Sequence, residues 1–222
     1  METIPGRKAF EGVEALIFDV FGKWCIYLAS VLILRVGTVV DWRKSIVDYL
    51  RTLPQPTPPL DLGAFAQEWR QGYYEATVQF AASPDPSAFR TIDEIHLAIL
   101  RTLIAKYNLQ HLWSEPMLNE INLVWHRLSG WPDSTQGLEL LKKKYIIGTL
   151  SNGNVRLLID MAKFAGLPWD VIFSGDLMKA YKPNGRMYLG ACGYLQLPPS
   201  RVAMVSGYSG CLTVRLLRIL RI

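Results

Sequence analysis

An aspartate at the end of an apolar run is the first residue of this chain whose setting suggests chemistry. The run from Ala15 to Phe21 reads ALIFDVF, has the length of a buried strand, and contains one polar residue, Asp19. Taking a carboxylate out of water is costly, so a carboxylate in such a position usually has a function. An aspartate just past a buried strand can attack carbon or phosphorus as a nucleophile and form an ester that water later cleaves. The alternative is that Asp19 only caps the loop after the strand.

Polar residues follow two later apolar runs in the same way. Tyr145 to Leu150 is followed by Ser151, and Val202 to Val205 is followed by Ser206. In an open parallel sheet, ligands bind beyond the carboxyl ends of the strands, which lie along one edge. We therefore expect Asp19 and the two serines to meet at one site.

The elements that must position these residues alternate between helices and strands in the second half of the chain. After Trp131 the pattern predicts helix 137–144, strand 145–150, helix 155–165, strand 171–173, helix 187–195 and strand 202–205. Such alternation argues for a parallel sheet with crossover helices. We predict an α/β fold with a Rossmann-like parallel sheet core.

Between the first strand and this half of the chain, the apolar spacing predicts only helices. They are helix 42–53, ended by a proline cluster, a helix after the N-cap Asp61, a helix after the N-cap Thr91 or Asp93, and helix 115–128. Several amphipathic helices in a row indicate a small helical domain inserted into the core. The predicted organisation is a core of residues 1–42 and 130–222 with an inserted helical cap domain of residues 43–129. His126, near the return to the core, is expected to be structural.

Residues 23–37 interrupt what would otherwise be a recognisable motif. Gly22 is followed by KWCIYLASVLILRVG and only then by TVVDW, which begins at Thr38. Without the atypical insertion 23–37 the chain reads FDVFGTVVDW. That string resembles the first motif of the haloacid dehalogenase superfamily. Together with the later motifs, Val20 and Phe21 narrow the resemblance to the 2-haloacid dehalogenase (type II) branch, which implies a haloacid dehalogenase-like core.

Two later motifs extend the resemblance. TLSNGNV, around Ser151 and Asn152, resembles the second motif, and AYKPNGRMY, around Lys182 and Tyr188, resembles the third. The resemblance implies that Ser151 binds the substrate carboxylate and that Asn152 contributes to the halide side of the site. It also implies that Lys182 offsets the crowding of two carboxylates and that Tyr188 lines the site. Without the family, Ser-Asn-Gly is common in turns, and Lys182 reads as a solvated loop lysine.

Three further residues take roles from the same resemblance. Arg70, in EWRQGYY, matches the arginine that holds the departing halide, where a desolvated guanidinium stabilises negative charge without a metal. On the residues alone, Arg70 is one more charge of an amphipathic helix, with Trp69 and Tyr73 as pocket wall or core. Thr38 would donate to the nucleophile or to the substrate. Ser206 begins the fourth motif.

The end of the chain departs from the family pattern. Cys211 stands where the family has an acidic residue that orders the hydrolytic water, and the sequence then ends in LLRILRI. The family's last strand and helix are therefore not expected here. One hypothesis explains both departures: residues 23–37 are translated intron, and the altered tail has a similar origin. The alternative is a genuine family variant with a hydrophobic hairpin at this position.

The residue two positions after Asp19 argues against metal chemistry. In phosphatases of the superfamily an acid there protonates the leaving group and helps to hold magnesium, but this chain has Phe21, which does neither. The resemblance therefore implies no metal, no cofactor, and hydrolysis of a short 2-haloalkanoic acid to the 2-hydroxy acid and halide, as in (S)-2-haloacid dehalogenases. Two alternatives stay open: a phosphatase of the same superfamily, and a non-catalytic product of a mis-spliced gene.

Composition and charge set the remaining expectations. With 222 residues, half of them hydrophobic, the chain is long enough for one domain plus a smaller appended one. The net charge of +5 comes mostly from scattered residues, which argues against nucleic-acid binding.

The apolar stretch from Trp24 to Leu34 is shorter than the roughly 20 residues of a membrane helix, and the start lacks the apolar region of a signal peptide. Three cysteines without metal-ligand spacing favour the cytoplasm. The expected partner is a small-molecule substrate, without nucleic acid or membrane, and a homodimer stays open.

Overall fold

The apolar run before Asp19 forms an inner strand of a four-stranded parallel sheet. The computed structural model describes residues 11–21, 23–28, 31–36, 38–82 and 85–206. Its strands are β1 (Ala15–Phe18), β2 (Lys23–Leu28), β3 (Val31–Val36), β4 (Ile146–Ser151), β5 (Val171–Ser174) and β6 (Val202–Val205). The main sheet has the order β5-β4-β1-β6, and all of its pairings are parallel. The predicted α/β fold with a parallel sheet is confirmed.

The register of the sheet brings three strand ends to the same edge. Phe18, the last residue of β1, pairs with Thr149 of β4 and with Val205 of β6. The backbone N–H of Asp19 then donates to the carbonyl oxygen of Val205 at 2.8 Å, which extends this pairing by one residue. The carboxyl ends of β1, β4 and β6 therefore meet where the sequence predicted the site.

The helices divide into a group from α1 to α4, which pack on one another, and a group from α5 to α8, which follows them in the chain. They are α1 (Trp42–Arg51), α2 (Leu62–Ala82), α3 (Ile92–Lys106), α4 (Glu115–Asn122), α5 (Ser134–Lys142), α6 (Val155–Ala165), α7 (Gly175–Met178) and α8 (Gly185–Leu195), with 3₁₀ helices at Pro86–Ala88, Leu123–His126 and Pro199–Arg201. Each helix from α1 to α4 packs on the next. We call these four helices and their connections the cap. No helix in the described ranges is both long and apolar enough to cross a membrane.

Side-chain caps start two of the cap helices where the sequence predicted them. Asp61 Oδ1 accepts from the backbone N–H of Ala64 at 2.9 Å at the start of α2. Thr91 and Glu94 form a reciprocal capping box at the start of α3. The predicted helix 115–128 was too long, because α4 ends at Asn122 and the chain continues as the tighter 3₁₀ segment. That segment buries Trp125 and His126.

The side chains of β1 alternate between two apolar layers. Leu16 and Phe18 belong to a core cluster that continues into the cap, while Ala15 and Ile17 belong to a second cluster with residues of α8. Both faces of the sheet are therefore covered, as parallel sheets require. Because the first cluster is shared, the cap and the sheet are joined through apolar packing as well as through the chain.

Within residues 23–37, which interrupt the first motif, the described residues form two paired strands, β2 and β3, which we call the hairpin. β2 and β3 pair antiparallel with each other, from Lys23 opposite Val36 to Leu28 opposite Val31, as a sheet separate from the main one. Gly22, the side chains of the hairpin, Cys211 and the rest of the tail lie outside the described residues. The intron hypothesis for 23–37 therefore stays a prediction.

Candidate active site

An ion pair lies at the carboxyl end of β1. Lys182 Nζ lies 2.9 Å from Asp19 Oδ1, and the two side chains keep 13% and 22% of their surface exposed. The hydroxyl of Ser206, directly after β6, donates to Asp19 Oδ2 in a long hydrogen bond of 3.4 Å. Both carboxylate oxygens therefore have a partner, yet the group still reaches solvent. A carboxylate that is fixed but accessible can attack an electrophilic carbon.

The backbone of Lys182 is held from two sides. The side-chain oxygen of Asn152, in the loop after β4, accepts from the backbone N–H of Lys182 at 2.8 Å. The neighbouring Tyr181 is buried, and its hydroxyl donates to the carbonyl oxygen of Arg90, just before α3. These contacts tie the second and third motifs to each other and to the cap, and they direct the Lys182 ammonium at Asp19.

Ser151 and Thr38 are buried next to the site. The hydroxyl of Ser151 accepts from the backbone N–H of Gly153 at 3.1 Å, so in this structure it shapes the turn. Thr38 precedes Val39, whose N–H donates to the carbonyl oxygen of Val20 at 3.3 Å, which places Thr38 beside the segment of the nucleophile. The predicted roles of both hydroxyls in binding the substrate stay predictions.

Arg70 reaches the site from α2 in the cap. Its Nη2 donates to the carbonyl oxygen of Phe21 at 2.7 Å. Its guanidinium carbon lies 5.6, 5.3 and 5.1 Å from the ring centres of Phe21, Trp42 and Tyr73. Burial lowers the pKa of Arg70, while Tyr73 and the charge of Asp19 act in the opposite direction. A cation enclosed by rings beside Asp19 can stabilise a departing anion without a metal.

Two tyrosines lie beside these charged groups. Burial raises the pKa of Tyr188, on α8, and the nearby charge of Asp19 raises it further. Burial also raises the pKa of Tyr73, whose hydroxyl interacts with the side chains of Arg70 and Asn152. The sequence predicted Tyr188 as a site residue but placed Tyr73 only as pocket wall or core. The signal for Tyr73 was its i,i+3 spacing from Arg70, which puts both on one face of α2.

The position that would complete a magnesium site in a related phosphatase is aromatic in this chain. Phe21 is buried, and its ring lies against the Arg70 guanidinium. Within the part of the chain that the structure describes, no group of three or more His, Cys, Asp or Glu side chains is arranged to hold a metal ion. The side-chain partners of Asp19 in the described part of the chain are the ammonium of Lys182, which cannot ligate a metal ion, and the hydroxyl of Ser206.

The chain matches a known family over most of its length. A family model described as haloacid dehalogenase-like hydrolase matches residues 36–206. The matched range contains Arg70, Ser151 and Lys182. It begins within the hairpin, so Asp19 precedes it, which is consistent with an insertion that interrupts the first motif.

Similar proteins are named as 2-haloacid dehalogenases. "(S)-2-haloacid dehalogenase 4A" of Burkholderia cepacia is 40% identical over 85 residues, 37% of this chain and 37% of that protein. "(S)-2-haloacid dehalogenase 1" of Pseudomonas sp. (strain CBS-3) is 35% identical over 113 residues, 46% of this chain and 50% of that protein. The chain thus spans half or less of the length of these curated relatives. The crystal structure of the defluorinating L-2-haloacid dehalogenase Rha0230 has a TM-score of 0.74 and 36% identity, and covers 90% of this chain and 76% of that one.

Proposed function

Because the chain belongs to the haloacid dehalogenase-like hydrolase family, in its 2-haloacid dehalogenase branch, we propose that it converts a short 2-haloalkanoic acid to the 2-hydroxy acid and halide. The observation that carries this proposal is the setting of Asp19, which contacts the Lys182 ammonium and lies near the ring-enclosed Arg70 guanidinium. A nucleophile between two cations suits a substrate that brings one negative charge and releases another. The names of the relatives agree with this substrate class.

In the first step an oxygen of Asp19 attacks C2 of the substrate. The new C–O bond forms as the carbon–halogen bond breaks, the halide leaves with the bonding electrons, and the configuration at C2 inverts. Arg70 and Asn152 receive the halide, and the positive charge of Arg70 stabilises the charge that develops on it. Ser151 and Thr38 position the substrate carboxylate.

In the second step water attacks the carbonyl carbon of the Asp19 ester. The acyl C–O bond breaks, the 2-hydroxy acid leaves, and Asp19 returns as a carboxylate beside Lys182. The attacking water gives up both of its protons: one goes to the oxygen of the departing 2-hydroxy acid as the acyl C–O bond breaks, and the other goes to solvent. In the family, the fourth motif carries the group that orders this water. Ser206 is the described part of that motif, and Cys211 falls outside the described residues.

We place this reaction in the cytoplasm. The cysteine content favours a reducing compartment, and Cys192 is a free buried thiol. The substrate is a small molecule, and the reaction needs neither nucleic acid nor membrane.

Replacement of Asp19 tests the proposal. Asp19→Asn should abolish halide release from 2-chloropropionate while it leaves substrate binding largely intact, because the amide keeps the shape and loses the nucleophile. Asp48→Asn, at an exposed position of α1, is the matched control and should keep the parent rate. Turnover of Asp19→Asn near the parent rate would disprove the nucleophile assignment. Magnesium-dependent turnover of a phosphomonoester would favour the phosphatase alternative, and a folded parent without either activity would favour the non-catalytic one.

A further inference from the structure

A second polar cluster lies where the cap meets the core. His126 is buried at the end of the 3₁₀ segment, and its ring contacts two carboxylates. Its Nδ1 lies 2.9 Å from Asp160 Oδ2, and its Nε2 lies 3.1 Å from Asp93 Oδ1. Asp93 stands in the first turn of α3 in the cap, whereas Asp160 belongs to α6 beside the sheet. His126 thus joins the two parts of the molecule.

The same cluster reaches the loop that carries site residues. The second oxygen of Asp93 accepts from the side-chain amide of Asn154 at 2.9 Å. Asn154 is the last residue of the loop that we number 151–154, which starts from Ser151 at the end of β4, and it immediately precedes α6. The backbone oxygen of Asp93 accepts from the Asn122 amide at 3.0 Å, which fixes the start of α3 against α4. Movement of Asp93 would therefore be transmitted directly to the loop 151–154.

We infer that Asp93 and His126 are positioning residues for the site. A cationic His126 joins Asp93 of the cap to Asp160 of the core, and Asn154 extends this link, which we call the clasp, to the loop 151–154. The clasp sets the distance between Arg70, which lies on α2 of the cap, and Asp19, which directly follows β1. The kinetic consequence rests on the proposed function, whereas the clasp itself does not.

The carboxylates around His126 favour its charged form. Burial lowers the pKa of His126, but the hydrogen bonds and charges of Asp93 and Asp160 outweigh this effect and leave the pKa raised. Arg156 also pairs with Asp160, with Nε 2.9 Å from Oδ1 and 2.8 Å from Oδ2. His96, a described histidine whose charge would interact with that of His126, is held neutral because burial lowers its pKa well below the ordinary value.

The contacts that α1 and α4 make beside the cluster involve neutral side chains, and the charged groups that act on His126 are Asp93 and Asp160. From α1, Trp42 stacks on Trp125, the residue before His126, with ring centres 6.1 Å apart. From α4, the contribution is the Asn122 amide on Asp93. The charge balance of the clasp is therefore set by α3 and α6.

The raised pKa of His126 determines the pH range of the clasp. A group whose pKa is higher in the folded state contributes its stability fully below its unfolded pKa, and this contribution is lost as the pH rises through the folded pKa. On the acid side the His126–Asp160 link is favoured by the lowered pKa of Asp160, which its hydrogen bond to Arg156 lowers first and His126 lowers as well. This link should therefore hold between the lowered pKa of Asp160 and the raised pKa of His126.

Three measurements on the full chain test the clasp. The His126 ring is titrated by NMR, the urea midpoint of unfolding is followed against pH, and hydrogen exchange is measured for loop 151–154. In the parent, His126 should titrate above the ordinary value, and the midpoint should fall as the pH rises through that titration. His126→Gln should have a lower midpoint at low pH and lack this fall. His111→Gln, at an exposed position, is the matched control and should behave like the parent.

The Asp93→Asn variant separates a positioning role from a merely structural one. It should lower the pKa of His126, speed hydrogen exchange in loop 151–154, and reduce kcat/KM for 2-chloropropionate by about ten- to a hundredfold, as expected when a site is slightly misplaced. If the variant is less stable but its loop exchange and kcat/KM match the parent, Asp93 is only structural and the inference is wrong. If His126 titrates at its ordinary value in the parent, the clasp is also disproved. A parent in which His126 titrates above its ordinary value, as predicted, but which releases no halide would instead contradict the proposed function alone.

Discussion

Arg70→Lys keeps a positive charge on α2 but removes the planar guanidinium. In the parent, that group donates to the Phe21 carbonyl at 2.7 Å and faces three rings with centres 5.1 to 5.6 Å away. An ammonium on a flexible stem cannot stack on the rings and also hold the carbonyl in the same fixed geometry. The variant should therefore retain the charge near the halide position but lose its orientation.

The expected cost of Arg70→Lys divides between stability and rate. A buried Phe21 carbonyl without its donor costs about 1–3 kcal/mol, so the free energy of unfolding should fall by a similar amount. Loss of one preorganised donor at a developing negative charge typically lowers kcat by about 100- to 1000-fold, or roughly 2.7–4 kcal/mol. KM should change little, because the groups assigned to the substrate carboxylate, Ser151 and Thr38, are untouched.

Steady-state halide release from 2-chloropropionate and 2-bromopropionate measures this effect, at a temperature where thermal melts show both proteins folded. The deficit should be larger for chloride, since it is the poorer leaving group and needs more stabilisation. Arg101→Lys, where Arg101 pairs with Glu115 at an exposed position of α3, is the matched control and should keep the parent kcat. If Arg70→Lys stays within about threefold of the parent kcat for both substrates, the guanidinium does not stabilise the leaving halide and the reasoning is refuted.

Three further results are expected. Halide release should be the same in EDTA as with added magnesium, since Phe21 replaces the acid of a magnesium site; loss in EDTA that magnesium restores would overturn this. Deletion of residues 23–37 should raise the soluble yield more than kcat/KM, because it removes an apolar hairpin but leaves Cys211 in the fourth motif. A monomeric parent that melts cooperatively and is as active as the deletion would show that the hairpin is genuine. Thr91→Ala should lower the free energy of unfolding in urea by about 1 kcal/mol, because it removes the capping box of α3, whereas Thr102→Ala in the exposed middle of α3 should not.

Local pattern was sufficient to predict the sheet and the placement of Asp19. The apolar run of β1 ends at Phe18, and the alternation of helices and strands implies parallel pairing, so the carboxyl ends of β1 and β6 were expected along one edge. Their direct pairing is given by the structure. The contact of Ser206 with Asp19 follows from that topology. The approach of Lys182 to Asp19 was expected from the family motif, because periodicity says nothing about where a loop side chain points.

Contacts between distant residues were not predictable in the same way. His126 is separated from Asp93 by 33 residues and from Asp160 by 34, and no spacing rule connects them. The cap must first fold back on α6 before these side chains become neighbours. The motif around Ser151 also did not indicate the local contact of its hydroxyl, which accepts from the backbone N–H of Gly153. Serine hydroxyls commonly bond to a nearby backbone group instead of a more distant partner, and the local backbone geometry decides which bond forms.

Attack by Asp19 on C2 predicts where each oxygen atom goes in a single turnover. Enzyme in excess over 2-chloropropionate is allowed to react in heavy-oxygen water, and mass spectrometry then measures the label in the lactate product and in the peptide that contains Asp19. The first lactate should carry a light hydroxyl oxygen taken from Asp19, and the heavy oxygen should appear in the Asp19 carboxylate. Heavy oxygen in the first lactate with an unlabelled Asp19 would mean that water attacks C2 directly, and would contradict the ester mechanism.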